Sequence, residues 1–167
     1  MSKMLNLYFT DKHYYDQCKR YNKRQKAFRK KLKKQAKNFH PWSGWYMQEM
    51  IKTMLDFYHK TYLAGDCCWS NESRIEEIAT SLGVACYWAD ELDRLEDLEN
   101  AELIELAQKD KAFDKYVAAW EKKINTKVDD SSHKEVLLGG LAEEYLHDKY
   151  TKAMYKVIGE HIWEWCD

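Results

Sequence analysis

The one proline of the chain, Pro41, opens the stretch that most limits what this sequence can fold into. Proline is harmless in a first helical turn, because its missing N–H would have no intrahelical acceptor there and its fixed φ is already helical. Pro41 therefore predicts a helix start. Behind it Met47, Met50, Ile51, Met54, Leu55, Tyr58 and Tyr62 recur at three- and four-residue steps, which places them on one side of a helix, and Gly65 supplies a stop. Trp42, Trp45 and Tyr46 load the first turns with rings that bury about 150–250 Å² each, so this is predicted to be the central helix.

One proline and six glycines leave few turn-formers, and strand-type alternation is almost absent. The predicted class is all-α, a helical bundle of about five helices, with residues 1–167 forming one domain. Five cysteines are an odd number without a regular framework, and neither a signal peptide nor an apolar run of about 18 residues accompanies them. A cytoplasmic protein with reduced thiols and no membrane span is expected. Cys67 and Cys68 with His59 could grip a soft metal, but no C-x-x-C pair exists, and small residues at a helix junction are the plainer reading.

Charge is strongly segregated although the net value is only −1. After an apolar lead-in at Met4–Phe9, Asp11 reads as an N-cap for a helix over 11–39. Its apolar or neutral positions Tyr14, Cys18, Tyr21, Gln25, Phe28, Leu32, Gln35 and Phe39 form a narrow seam of the coiled-coil kind. Between Lys12 and Lys37 there are twelve lysines and arginines against the single Asp16. That is about +11, a self-repelling density that calls for something negative nearby.

A third helix is predicted from Asn71 or Ser73, with Ser73 and Glu76 at capping-box spacing. Ile75, Ile78, Leu82, Ala85, Ala89, Leu92 and Leu95 or Leu98 give it a long buried face. Gly83 interrupts that face and is expected to pack against a bulky neighbour such as Trp42 or Trp45. From Glu72 to Glu105 the segment is acidic, about −9 net, so the two charged runs could face each other or be solvated separately. Asn100 could restart a helix through Leu106, and Asp110 another carrying Phe113, Tyr116, Val117, Trp120 and Ile124 inward. Asn125–Asp130 reads as a loop. Ser132 with Glu135 then caps a last helix bearing Val136, Leu137, Leu141, Tyr145, Tyr150, Met154, Tyr155, Ile158, Ile162 and Trp165, which Gly139-Gly140 could kink or interrupt.

Few constellations point to chemistry. Glu-x-x-His places two ligands on one helix face, as in carboxylate-bridged metal sites of helical bundles; Glu144/His147 fits and Asp56/His59 is a near match. A metal-dependent enzyme using Asp56, His59, Glu144 and His147 between helices is the alternative this pattern raises. His147-Asp148 is also an HD dipeptide without placeable partners, and Glu96/Glu99 and Glu102/Glu105 lie too close in sequence for two facing ExxE pairs. No glycine-rich phosphate loop and no nucleophile motif is present. His40 before a helix and His161 a turn before Trp165 are read as structural.

Lys19, Arg20, Lys23, Lys26, Lys30, Lys33, Lys34 and Lys37 fall away from the seam, where they could follow a nucleic-acid backbone. Lysine is a point charge rather than a bidentate reader, so phosphate contact is favoured over base readout. An acidic protein partner or an anionic membrane surface would also suit such a helix.

His40-Pro41-Trp42, continued by Trp45-Tyr46 and Met50, and the tail His161, Ile162, Trp163, Trp165 and Asp167 resemble a group of small, uncharacterised helical proteins encoded by phages and phage-like elements. The tail departs from theirs in having Trp165-Cys166-Asp167 where they carry a Trp-Trp-Asp-like ending. The resemblance implies phage origin and an intracellular setting, and no activity. Taken together, the sequence predicts a non-enzymatic interaction protein without cofactor, binding a protein or a nucleic acid, with the 11–39 helix as a potential arm and its seam open to pairing with a second copy.

Overall fold

The computed structural model describes residues 12–37, 44–65 and 72–165, apart from the side chains at 12–13, 44–46, 72–73 and 130. Among these residues there are six α-helices and no strand: α1 (Lys12–Lys37), α2 (Gly44–Leu63), α3 (Glu72–Leu95), α4 (Asn100–Gln108), α5 (Ala112–Ile124) and α6 (Lys134–Trp165). The all-α class is as the periodicity predicts. The count is six rather than about five; α4 and α5 are separate, as the restarts read at Asn100 and Asp110 imply, and are parted by the turn at 109–111. The Pro41 start, the Trp42, Trp45 and Tyr46 rings, His40, the Cys67-Cys68 pair, the Met4–Phe9 lead-in, the Asp11 and Ser73 caps and the Cys166-Asp167 end lie outside what is described. No helix of the described residues is long and apolar enough to cross a membrane.

The chain divides into two compact units. One holds the described residues up to Tyr87 and those from Lys156 onward; the other is Trp88–Tyr155. In the first, Leu55, Tyr62, Ile78, Leu82, Ala85 and Trp165 are buried. Trp165 is fixed at both of its polar ends: its indole N–H donates to Ser81 Oγ at 2.9 Å, and its carbonyl accepts from the Tyr62 hydroxyl at 3.3 Å. A buried indole N–H without such an acceptor would be costly. The central-helix stripe is half right, because Leu55 and Tyr62 are buried whereas Met47 and Met54 stay exposed at 49% and 43%. Gly65 stops the helix at φ +60°, a left-handed conformation that suits glycine. Gly83 packs against His59, the imidazole Nε2 lying 3.2 Å from where a Cβ would stand; the Trp42 and Trp45 side chains expected there lie outside what is described.

In the second unit Leu92, Leu95, Leu103, Phe113, Leu141, Leu146 and Met154 form the core. Phe113 and Tyr116 each place their ring centroid 5.4 Å from that of Tyr145. α4 opens on a reciprocal capping box, Glu99 accepting from the backbone N–H of Glu102 while Glu102 Oε2 accepts from the N–H of Glu99 at 3.0 Å. α5 ends on Asn125 at φ 54°, followed by a single 3₁₀ turn, Val128–Asp130, whose Val128 is buried. Before α6 the Ser131 hydroxyl accepts from His133 N–H at 3.1 Å, a local turn just ahead of the helix.

Gly139-Gly140 do not interrupt α6, which runs through them unbroken. Gly139 lets Asn100 approach: an added Cβ would lie 2.7 Å from Asn100 Cβ and 2.6 Å from its Cγ, while a Cβ on Gly140 meets nothing within 4 Å. The two glycines should respond to alanine with opposite signs. Gly140→Ala should stabilise by about 0.5–1 kcal/mol through helix propensity. Gly139→Ala should destabilise by about 1–2 kcal/mol, overpacking outweighing the same propensity gain. Urea-denaturation midpoints of the two variants check this.

Candidate nucleic-acid interface

α1 is 26 residues long, about 39 Å at 1.5 Å per residue. Its seam meets α2. Gln17 Nε2 donates to the Gly65 carbonyl at 2.8 Å, Arg24 to the Lys60 carbonyl at 2.7 Å, and Gln35 Nε2 to Thr53 Oγ1 at 2.9 Å. Phe28 stacks on Phe57 with centroids 4.3 Å apart and planes 13° from parallel, and Tyr21 lies 6.3 Å from the same ring. Partner numbers fall on α2 as they rise on α1, so the two helices form an antiparallel hairpin. Gln17 and Arg24 thus reach carbonyls at and just past the C-terminal end of α2, where a cation such as Arg24 is favourable. The seam that could have paired with a second copy is thus engaged by the same chain.

With the seam inward, the lysines point to solvent. Lys19, Lys23, Lys26, Lys30, Lys33, Lys34 and Lys37 are all exposed, and none makes an ion pair or hydrogen bond among the described residues. Arg20 is exposed but engaged. Lys31 and Arg29, which the sequence reading counted as charge without assigning to the site, are exposed and unpaired as well; their angular positions on the helix were the available signal. In the acidic segment Glu91 pairs with Arg94, Glu105 with Lys109, and Glu102 caps α4.

Beside the seam an open groove of about 240 Å³ runs between α1 and α2. α1 contributes Arg24, Ala27, Phe28 and Lys31 to it. Thr53, Asp56, Phe57 and Lys60 form the α2 wall.

No three His, Cys, Asp or Glu side chains among the described residues form a group that could hold a metal ion. Asp56 pairs with Lys60 at 2.6 Å, His59 leans on Gly83, and Glu144 is exposed. His147 stays exposed, and Asp148 of the HD dipeptide pairs with Lys152 at 2.7 Å. The alternative of an ion held by Asp56, His59, Glu144 and His147 therefore has no supporting ligand group among the described residues.

A cluster that the sequence reading missed joins the turn before α5 to α6. Asp110 Oδ2 accepts from Lys149 Nζ at 2.6 Å and from the Tyr145 hydroxyl at 2.8 Å, while Oδ1 accepts the Ala112 N–H at 3.0 Å. The lysine, then the backbone N–H and the tyrosine hold the Asp110 carboxyl well below the usual carboxylate range. Burial and the hydrogen bond to Asp110 push the Tyr145 hydroxyl up to about 12. A carboxyl depressed by folding adds stability that is complete above its unfolded pKa and lost as pH falls through and below that value. Asp110→Asn should therefore lower the urea midpoint near neutrality and flatten the decline that the parent protein shows from about pH 5 to about pH 3. Equal slopes for the two proteins would rule out Asp110 as the source.

In comparisons with protein families, with characterised proteins and with solved structures, nothing matches this chain.

Proposed function

We propose that the protein is a non-enzymatic, phage-type intracellular interaction protein whose α1 binds the sugar-phosphate backbone of a nucleic acid. The observation that supports this reading is the row of seven exposed lysines on α1, none partnered among the described residues. A charge density of this kind persists in a folded chain at the cost of self-repulsion, and phosphate relieves that repulsion. An amphipathic helix lying in a membrane surface would need its apolar face for lipid, and here Tyr21 and Phe28 face Phe57. Phage origin and cytoplasmic setting enter the proposal from the resemblance of the His40-Pro41-Trp42 block and the Trp-rich tail.

Fluorescence anisotropy with labelled duplexes of two unrelated sequences tests the reading. Each neutralised phosphate contributes about 0.9 to the slope of log K against log salt, so six or seven contacts should give a slope of about −5 to −6 with little sequence preference. A slope near zero, or binding confined to one sequence, would sink it.

A further inference from the structure

We propose that the groove between α1 and α2 docks an acidic amphipathic helix of a protein partner. Each wall places its residues at i, i+3, i+4 and i+7, so two antiparallel helical ridges flank one furrow. That is the surface onto which the apolar ridge of a third helix packs. The floor is apolar, made by Ala27 and the stacked Phe28 and Phe57 rings.

The rim sets the sign of the partner. Arg24, Lys31 and Lys60 face one carboxylate, Asp56, which is already paired with Lys60. Lys31 is exposed and makes no ion pair among the described residues. A helix with Asp or Glu on either side of its apolar ridge is the charge complement, and a basic helix is repelled. The rings favour a helix over an unstacked nucleobase: Phe28 and Phe57 spend a face on each other, and Phe57 also makes a T-shaped contact with Tyr58, centroids 5.5 Å apart, whereas base stacking needs open faces.

The probe is a fluorescein-labelled helical peptide with leucines at i, i+3, i+4 and i+7 and flanking glutamates, titrated against the full chain. One control peptide has serine for leucine, the other lysine for glutamate. The leucine/glutamate peptide should bind, and each control should bind at least about tenfold more weakly. Ala27→Glu and Lys31→Glu, at exposed positions, should each weaken binding at least about tenfold, while Lys26→Glu with Lys33→Glu, on the opposite side of α1, should change it less than about threefold. Circular dichroism checks folding, and Lys31→Ala provides a milder rim variant. The proposal is overturned if the serine peptide binds equally, if the Lys26/Lys33 change is the damaging one, if single-stranded oligonucleotide binding rather than peptide binding is lost on Ala27→Glu, or if the free protein is a dimer that Ala27→Glu dissociates. Because the Lys26/Lys33 variant separates the two surfaces, failure here leaves the backbone-binding reading to its own salt titration.

Discussion

Exchanging Lys26, Lys30 and Lys33 together for glutamate is expected to lower affinity for duplex DNA on the order of 500-fold at 0.1 M salt and to reduce the salt slope by about three. At that salt concentration each phosphate contact contributes a factor of about eight through counterion release, and three contacts multiply. The three side chains are exposed and make no ion pair or hydrogen bond among the described residues, so their reversal removes none of the contacts that hold α1 on α2. Lysine and glutamate have similar helix propensity, and lowering the positive density on α1 reduces self-repulsion. The melting curve should therefore be unchanged or shift upward while binding collapses. An unchanged salt slope in the triple variant would show that these lysines do not carry binding.

Phe113→Ala is expected to destabilise the protein by about 3–5 kcal/mol, the cost of removing a large buried ring and leaving a cavity. Phe113 is 1% exposed, among the largest fully buried side chains, and its ring lies 5.4 Å from that of Tyr145. Against a total stability of about 5–15 kcal/mol this is a large fraction, so the urea midpoint should fall steeply. Ile124 makes the contrast: it sits on the same predicted stripe of α5 but is 42% exposed, and Ile124→Ala should stay within about 0.5 kcal/mol. Similar losses for the two substitutions would mean that the stripe, rather than burial, determines the effect.

The stripes were legible as helices and less so as faces. On α3, Ile78, Leu82, Ala85, Ala89, Leu92 and Leu95 are all buried, because a long run at steps of three and four leaves one helical solution. On α6 the same reading named the buried Leu141, Tyr150 and Met154 but also Val136, Tyr155 and Ile162, which stay exposed, and it omitted Leu146 and Ala142, both buried. A long helix buried from more than one side has no single stripe to find. The Gly139-Gly140 pair was read as a kink because glycine weakens a helix locally, yet Gly139 is needed for the close approach of Asn100, a contact between residues far apart in sequence.

The candidate site divides in the same way. That α1 is a basic helix with a thin neutral seam follows from residue order alone, since angular position on a helix is fixed by spacing. Whether its lysines meet carboxylates or water does not follow, because ion pairing depends on which surfaces the rest of the chain brings near. Only the tertiary structure gave the seam to Phe57, Thr53 and the carbonyls of α2, left seven lysines exposed, and opened a groove beside them. The metal alternative met the opposite outcome. Spacing puts Glu144 beside His147 and Asp56 near His59 on their helices, but a bound ion needs ligands converging from more than one segment, and the described residues gather no such group. The sequence by itself determined the helices and the sign of each charged segment, both local properties of neighbouring residues. The fold decided which of those surfaces are spent on the chain itself and which remain exposed to solvent, because that depends on contacts between residues distant in sequence.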